Sequence, residues 1–293
     1  MRFGLSTHLF HAERLARRHL AAIAGYGFDL VEVFATRTHF AYDDAGAVAE
    51  LKGWLDDLGM RAGTMHLPIT AGVPGGIWGK PYSNASSDAA TRQEAIHEAQ
   101  LAFEAAARLG CAIGVLHLGV ARGTPMPAPD NDPRAARSSL EQIAEAAEAA
   151  GVQLAIEVIP NDLSTPDALR DLLGGDLEIG ATGVCLDFGH AHLMGGTPEA
   201  AEALAGHVVT THVHDNRGQA DDHLVPFAGT IDWTITLMAM SKVGYAGPLM
   251  FEVADDGGPE DVLRRTVGAR VRLQAILDDL SAPFSFDEID PGV

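Results

Sequence analysis

Residues 138–158 read SSLEQIAEAAEAAGVQLAIEV, and this stretch decides the fold. In its first half Leu140, Ile143, Ala144 and Ala147 recur at the spacing that lines one face of an α-helix. Gly151 follows, suited to the left-handed position that ends a helix because a side chain would clash there. The run after it, VQLAIEV, is apolar on both faces, as a parallel strand covered on both sides should be. A polar residue, Glu157, stands where the run stops.

The same unit recurs along the chain. Gly27 precedes FDLVEVF, Gly59 precedes MRAGTMH, Gly110 precedes CAIGVLH and Gly244 precedes YAGPLMFEV. RFGLST at the start, TGVCLDF around Cys185 and VVTTHVH around Thr211 complete a set of eight strands. Eight alternating β and α units predict an α/β chain folded as a single-domain (β/α)8 TIM barrel over residues 1–280, with 281–293 as an acidic extension. An open doubly wound sheet is the alternative, weakened because no G-x-G-x-x-G turn follows the first strand.

The chain has 293 residues, 47% hydrophobic, which is enough for a large core and excludes disordered or collagen-like classes. Twenty Lys+Arg against 40 Asp+Glu leave a formal charge of -20, which disfavours a nucleic-acid partner held by its phosphates. The N-terminus MRFGLSTHLF lacks a continuous apolar signal region, and no later run is long enough to span a bilayer. The expectation is a cytoplasmic protein with no membrane partner. Cys111 and Cys185 sit in apolar runs, as small buried hydrophobes rather than a disulfide framework.

Two connections are too long for plain βα loops. Residues 70–87 carry Trp78, Lys80 and Tyr82 among glycines, and residues 119–133 carry Arg122 and four prolines. Both follow strands and so lie on the face where barrel enzymes work, which suits a lid or substrate wall.

In a barrel the C-terminal strand ends converge on one mouth. From strand two to strand eight the residues there are Glu32, His66, His117, Glu157, Asp187, His212 and Glu252. A buried carboxylate is costly unless paired or coordinated, so this mixture of carboxylates and imidazoles points to a divalent cation. In CLDFGHAH, His190 stands three residues after Asp187, and the loop after His212 brings Asp221 and His223 as a D-x-H pair. Strand alternation sends His212 and His214 to one face, and Asp215 is the natural residue to orient them.

At these residues the chain resembles the xylose-isomerase-like barrel superfamily of sugar isomerases and epimerases, inosose dehydratase, hydroxypyruvate isomerase and the endonuclease IV group. The resemblance rests on the Glu of LAIEV, D-x-G-H at Asp187, Gly189 and His190, H-x-x-D at His212 and Asp215, the D-x-H loop and the final Glu of FEV. It implies that Glu157, Asp187, His212 and Glu252 hold one divalent metal: manganese, cobalt, magnesium or zinc. It also implies places for up to three zincs, drawing on His66, His117, His190, Asp221 and His223, as in the endonuclease IV group. A homodimer is the family-level expectation.

The reading that follows is an isomerase or epimerase acting on a small sugar, sugar phosphate or polyol. The metal would chelate a carbonyl and its neighbouring hydroxyl and stabilise an enediolate, with Glu157 and Glu252 as base and acid. His190, Arg217, Trp78, Lys80, Arg122 and Glu32 are the further candidates for holding substrate oxygens or a phosphate. The alternatives are a multi-zinc phosphodiesterase acting on abasic DNA and a dehydratase using the same metal and base.

Overall fold

The computed structural model describes residues 1–126, 130–175 and 179–282. Three residues of the second long loop, 127–129, and nearly all of the expected extension, 283–293, therefore lie outside the described residues. Eight parallel strands close in chain order: β1 (Phe3–Ser6), β2 (Leu30–Phe34), β3 (Arg61–His66), β4 (Ile113–Leu116), β5 (Gln153–Glu157), β6 (Gly183–Asp187), β7 (Val208–Val213) and β8 (Leu249–Phe251). Each run read as a strand from the sequence contains one of them.

Helices fill the crossovers: α1 (Arg17–Gly25), α2 (Ala45–Asp57), α3 (Ala89–Leu109), α4 (Pro133–Ala150), α5 (Pro166–Leu173), then two short ones after β6, α6 (Phe188–Leu193) and α7 (Thr197–Ala203), followed by α8 (Trp233–Lys242) and α9 (Pro259–Ser281). The stretch around α4 shows why. Asp132 caps it by accepting from the Ala135 amide at 2.8 Å, Pro133 fits its first turn, and Gly151 ends it at φ +67°. Leu140, Ile143, Ala144 and Ala147 are all buried against the sheet. Gly27, Gly59, Gly110 and Gly244 also have positive φ, as their place after a helix requires.

The main core lies between the sheet and the helices. Inside the barrel the filling is small, with Val115, Ala155 and Cys185 backed by Ile113 and Val209. Both cysteines are free and buried, and burial pushes both thiols up, as expected of inert packing residues. Among the described residues no helix is long and apolar enough to cross a membrane.

The loop after β2 buries His39 completely. Its Nδ1 donates to the Glu13 carbonyl at 2.7 Å, and Nε2 accepts from the Thr7 hydroxyl at 3.2 Å, so the ring is held neutral. Burial lowers its pKa to about 4. The unfolded chain takes up this proton near pH 6.5 and the native state refuses it, so the His39 contribution is full above pH 6.5. It is lost as pH falls towards 4, by about 3 kcal/mol in all. His39→Gln is expected to flatten the fall in unfolding free energy between pH 7 and 4.5, measured by urea titration. Parallel curves for the two proteins would remove His39 as the source.

Candidate active site

Parallel register sets the strand ends level. Asp187 pairs with His212 and Phe34 with His66, while Glu157 ends β5 beside Cys185. Glu157, Asp187, His212 and Glu252 thereby become neighbours, and all four are buried. His212 Nδ1 stands 3.3 Å from Glu157 Oε1, 3.4 Å from Glu252 Oε2 and 3.7 Å from Asp187 Oδ2.

Proton positions make this cluster unusual. The other nitrogen of His212, Nε2, lies 3.1 Å from Glu32 Oε2, which also accepts from the Thr64 hydroxyl at 2.8 Å. Glu32 can only accept, so Nε2 carries the hydrogen and Nδ1 turns a lone pair towards three carboxylates. Similar pinning recurs around the cavity. His66 Nδ1 donates to the Leu67 carbonyl, His190 Nδ1 to that of Val158 and His223 Nδ1 to that of Glu252, at 2.9, 3.0 and 2.9 Å. Each leaves Nε2 facing a carboxylate: His66 looks at Glu157 Oε2 from 3.3 Å, while His190 and His223 look at Asp221 Oδ2 from 3.0 and 3.1 Å. His117 Nε2 also faces Glu157 Oε2, at 3.1 Å.

Lone pair against lone pair at such distances is repulsive unless a proton or a cation lies between. Burial opposes charge on His190, but Asp187 and Asp221 outweigh it and raise its pKa well above the ordinary value. His223 is likewise raised to about 9, with Asp221 overcoming its burial. Glu157 is held well below the usual carboxylate range despite its burial, by His117 and His212.

These residues also fit a metal. Both Glu157 oxygens and His212 Nδ1 are sealed from solvent and make no hydrogen bond of acceptable geometry. Ligands at about 2.0–2.1 Å from a divalent ion stand about 3.0–3.4 Å from one another, close to the spacings seen here. Three further groups converge to within 4.8 Å: His66, His117 and Glu157; His66, His212 and Glu252; and His190, His214, Asp221 and His223.

The loop after β7 is built around Asp215. Its carboxylate accepts from the Phe227 amide at 2.9 Å, the Ile231 amide at 3.1 Å and Trp233 Nε1 at 3.0 Å. Asp215 is thus a loop anchor, not the orienting partner of a histidine expected from the sequence. The anchored loop presents Asp221 and His223, the latter at φ +45°, a strained backbone for a residue with a side chain. His214 is held instead by Asp187, whose Oδ2 accepts from Nε2 at 2.9 Å. Gly189 makes room for that ring, because a Cβ there would lie 2.0 Å from His214 Cε1. Gly189→Ala is expected to displace His214 and cost about 1–3 kcal/mol. A melting temperature unchanged from the native protein would contradict this packing.

A cavity of about 520 Å³ opens above the cluster. Of the candidates named from the sequence, His66, His117, Glu157, His190, Asp221, His223, Glu252 and Trp78 line it. Six other candidates do not, and of these Asp187 and His212 lie in the buried cluster beneath it. Glu32 is completely buried beneath His212, where it orients the ring and cannot reach a substrate. Lys80 pairs with Glu94, Arg122 pairs with Asp162, and Arg217 is exposed away from the cavity wall. Sequence reasoning missed His8 and His11, which stand just past β1 and also line the cavity. The signal was present, since the strand-end rule applied to β1 points to His8 as it pointed to residues on the other seven strands.

The family model described as xylose isomerase-like TIM barrel matches residues 20–271. The chain belongs to this family. Within the xylose isomerase-like TIM barrels it is similar to an uncharacterized protein of Methanocaldococcus jannaschii, 27% identical over 86% of this chain and 83% of that one. Among solved structures, a D-tagatose 3-epimerase-like protein superposes with a TM-score of 0.77 at 24% identity, covering 96% of this chain and 98% of its own. The D-psicose 3-epimerase of Clostridium cellulolyticum, solved with D-tagatose, gives 0.74 at 18%, covering 94% and 99%. Other structural neighbours were solved with zinc or magnesium bound. At these identities the structural likeness speaks for the fold.

Proposed function

We propose that this xylose isomerase-like barrel is a divalent-metal-dependent isomerase or epimerase of a small sugar or polyol. The observation that carries the reading is the sealed, unbonded set of ligand atoms on Glu157 and His212, closed by Asp187 and Glu252 at the floor of a small-molecule-sized cavity. A metal held by these four would supply Lewis-acid polarisation of a substrate carbonyl and its neighbouring hydroxyl, acidifying the carbon-bound proton between them. Glu157 and Glu252 reach the centre from strands three apart around the barrel. One is suited to take that proton and the other to return one, which is the requirement for isomerisation or epimerisation. Glu32 fixes the tautomer of His212, and Asp187 holds His190 through its amide at 2.6 Å. A dehydratase would use the same base.

One observation favours a second reading. The groups His66–His117–Glu157 and His190–His214–Asp221–His223 flank the first, in the manner of a three-metal phosphodiesterase. Against it, no Lys or Arg lines the cavity among the described residues. The deciding experiment is metal content by plasma mass spectrometry on protein purified without added metal or a His tag, followed by solvent-deuterium uptake into ketoses. About one manganese, cobalt, magnesium or zinc per chain with deuterium uptake is the expected result. About three zincs with cleavage of abasic DNA and no uptake would overturn it.

A further inference from the structure

We infer that the wall running from His8 through His11 and Phe34 to Trp78 is a specificity-determining subsite that accepts the uncharged, hydroxyl-bearing end of a free polyol and rejects its phosphate ester. The inference rests on the isomerase reading and names its substrate class.

The wall is continuous. His8 lies 5.0 Å from the His223 ring at the cavity floor and stacks on His11 at 4.5 Å. His11 stacks on Trp78 at 5.5 Å, and Phe34 stands edge-on to both His8 and Trp78, at 5.0 and 6.4 Å. Such a face suits the C–H surface of a sugar or cyclitol. Trp78, 49% exposed, carries the wall to the rim on the 70–81 loop, whose ends are joined by the Thr70–Pro81 bridge.

Hydrogen bonding points the same way. His8 is only 6% exposed and belongs to none of the convergent ligand groups, yet its Nδ1 has no partner in the protein. The ring itself lines the cavity. A hydroxyl both donates and accepts, so it matches the edge of a neutral imidazole in either tautomer, whereas a phosphate oxygen only accepts.

Charge completes the argument. The cavity carries Glu157, Asp221, Asp222 and Glu252, and among the described residues no Lys or Arg faces them. Lys80 and Arg122, the cations of the two long loops, are tied into ion pairs with Glu94 and Asp162. A phosphate lying along the aromatic wall would meet rings and carboxylates, with no Lys or Arg among the described residues to receive it.

The test uses the manganese-loaded protein and deuterium uptake into free ketohexoses and into their 1- and 6-phosphates. A preference for the free sugars of about tenfold or more in kcat/KM is expected. Trp78→Ala should raise KM about three- to tenfold with kcat and metal content unchanged, and Trp78→Phe should restore most of the loss. Equal or better use of the phosphates, or a Trp78→Ala effect on kcat alone, would overturn the subsite while leaving the isomerase reading intact. Absence of uptake with either class would overturn both.

Discussion

Glu157→Gln, assayed with saturating metal, is expected to lower solvent-deuterium uptake into substrate by roughly 10²–10⁴-fold, the usual worth of a positioned general base. The substitution keeps the side chain's shape at the end of β5, where it is completely buried among His66, His117, His190 and His212. What it removes is the ability to take a proton, since an amide oxygen is far too weak a base. It also turns an NH2 group towards imidazole nitrogens that now face an anion, so metal affinity falls as well. Saturating metal separates the two effects, and circular dichroism checks that the barrel is retained. Native rates of uptake in the variant would remove Glu157 from the proton transfer and leave Glu252 to be tested alone.

Removing the metal is expected to lower the melting temperature by roughly 5–10 °C, with recovery on adding it back, because a ligand that binds only the folded state at about a hundred times its Kd stabilises by about 2.7 kcal/mol. In the metal-free state the charges are balanced by protons: burial opposes it, yet His190 and His223 are raised while Glu157 and Asp187 are lowered. Metal uptake must displace those protons, so occupancy falls as pH falls. A chelator that leaves the melting temperature untouched, or full metal occupancy at pH 4, would contradict the site.

The strand-end residues are brought together for a geometric reason. Parallel strands in a closed barrel all end at the same mouth, so polar residues closing apolar runs are gathered whatever their separation in sequence. His66, Glu157, Asp187 and Glu252 needed nothing more to be placed together. Glu32 shows where that logic stops. The β2–β3 register shifts between Val31 and Glu32, and the carboxylate lies under His212 instead of reaching the mouth. The loop cations show the same limit, because Lys80 and Arg122 were free to face the cavity until folding brought Glu94 and Asp162 beside them. Asp215 is the third case: a carboxylate next to two histidines is spent on backbone amides and Trp233, because the loop it anchors closes around it.

By itself the sequence determined the order and kind of the elements, the barrel, and the pool of side chains at its mouth, because periodicity, helix-ending glycines and strand polarity are local properties that closure only collects. Tertiary structure alone decided which nitrogen of each histidine faces a carboxylate, that Glu32 lies beneath His212 while Glu157 and Glu252 line the cavity, and that the first long loop brings Trp78 to its wall, where no Lys or Arg stands among the described residues. Those outcomes depend on partners distant in the chain, such as Glu32 beneath His212, Glu94 beside Lys80 and His11 against Trp78, and no local pattern specifies them.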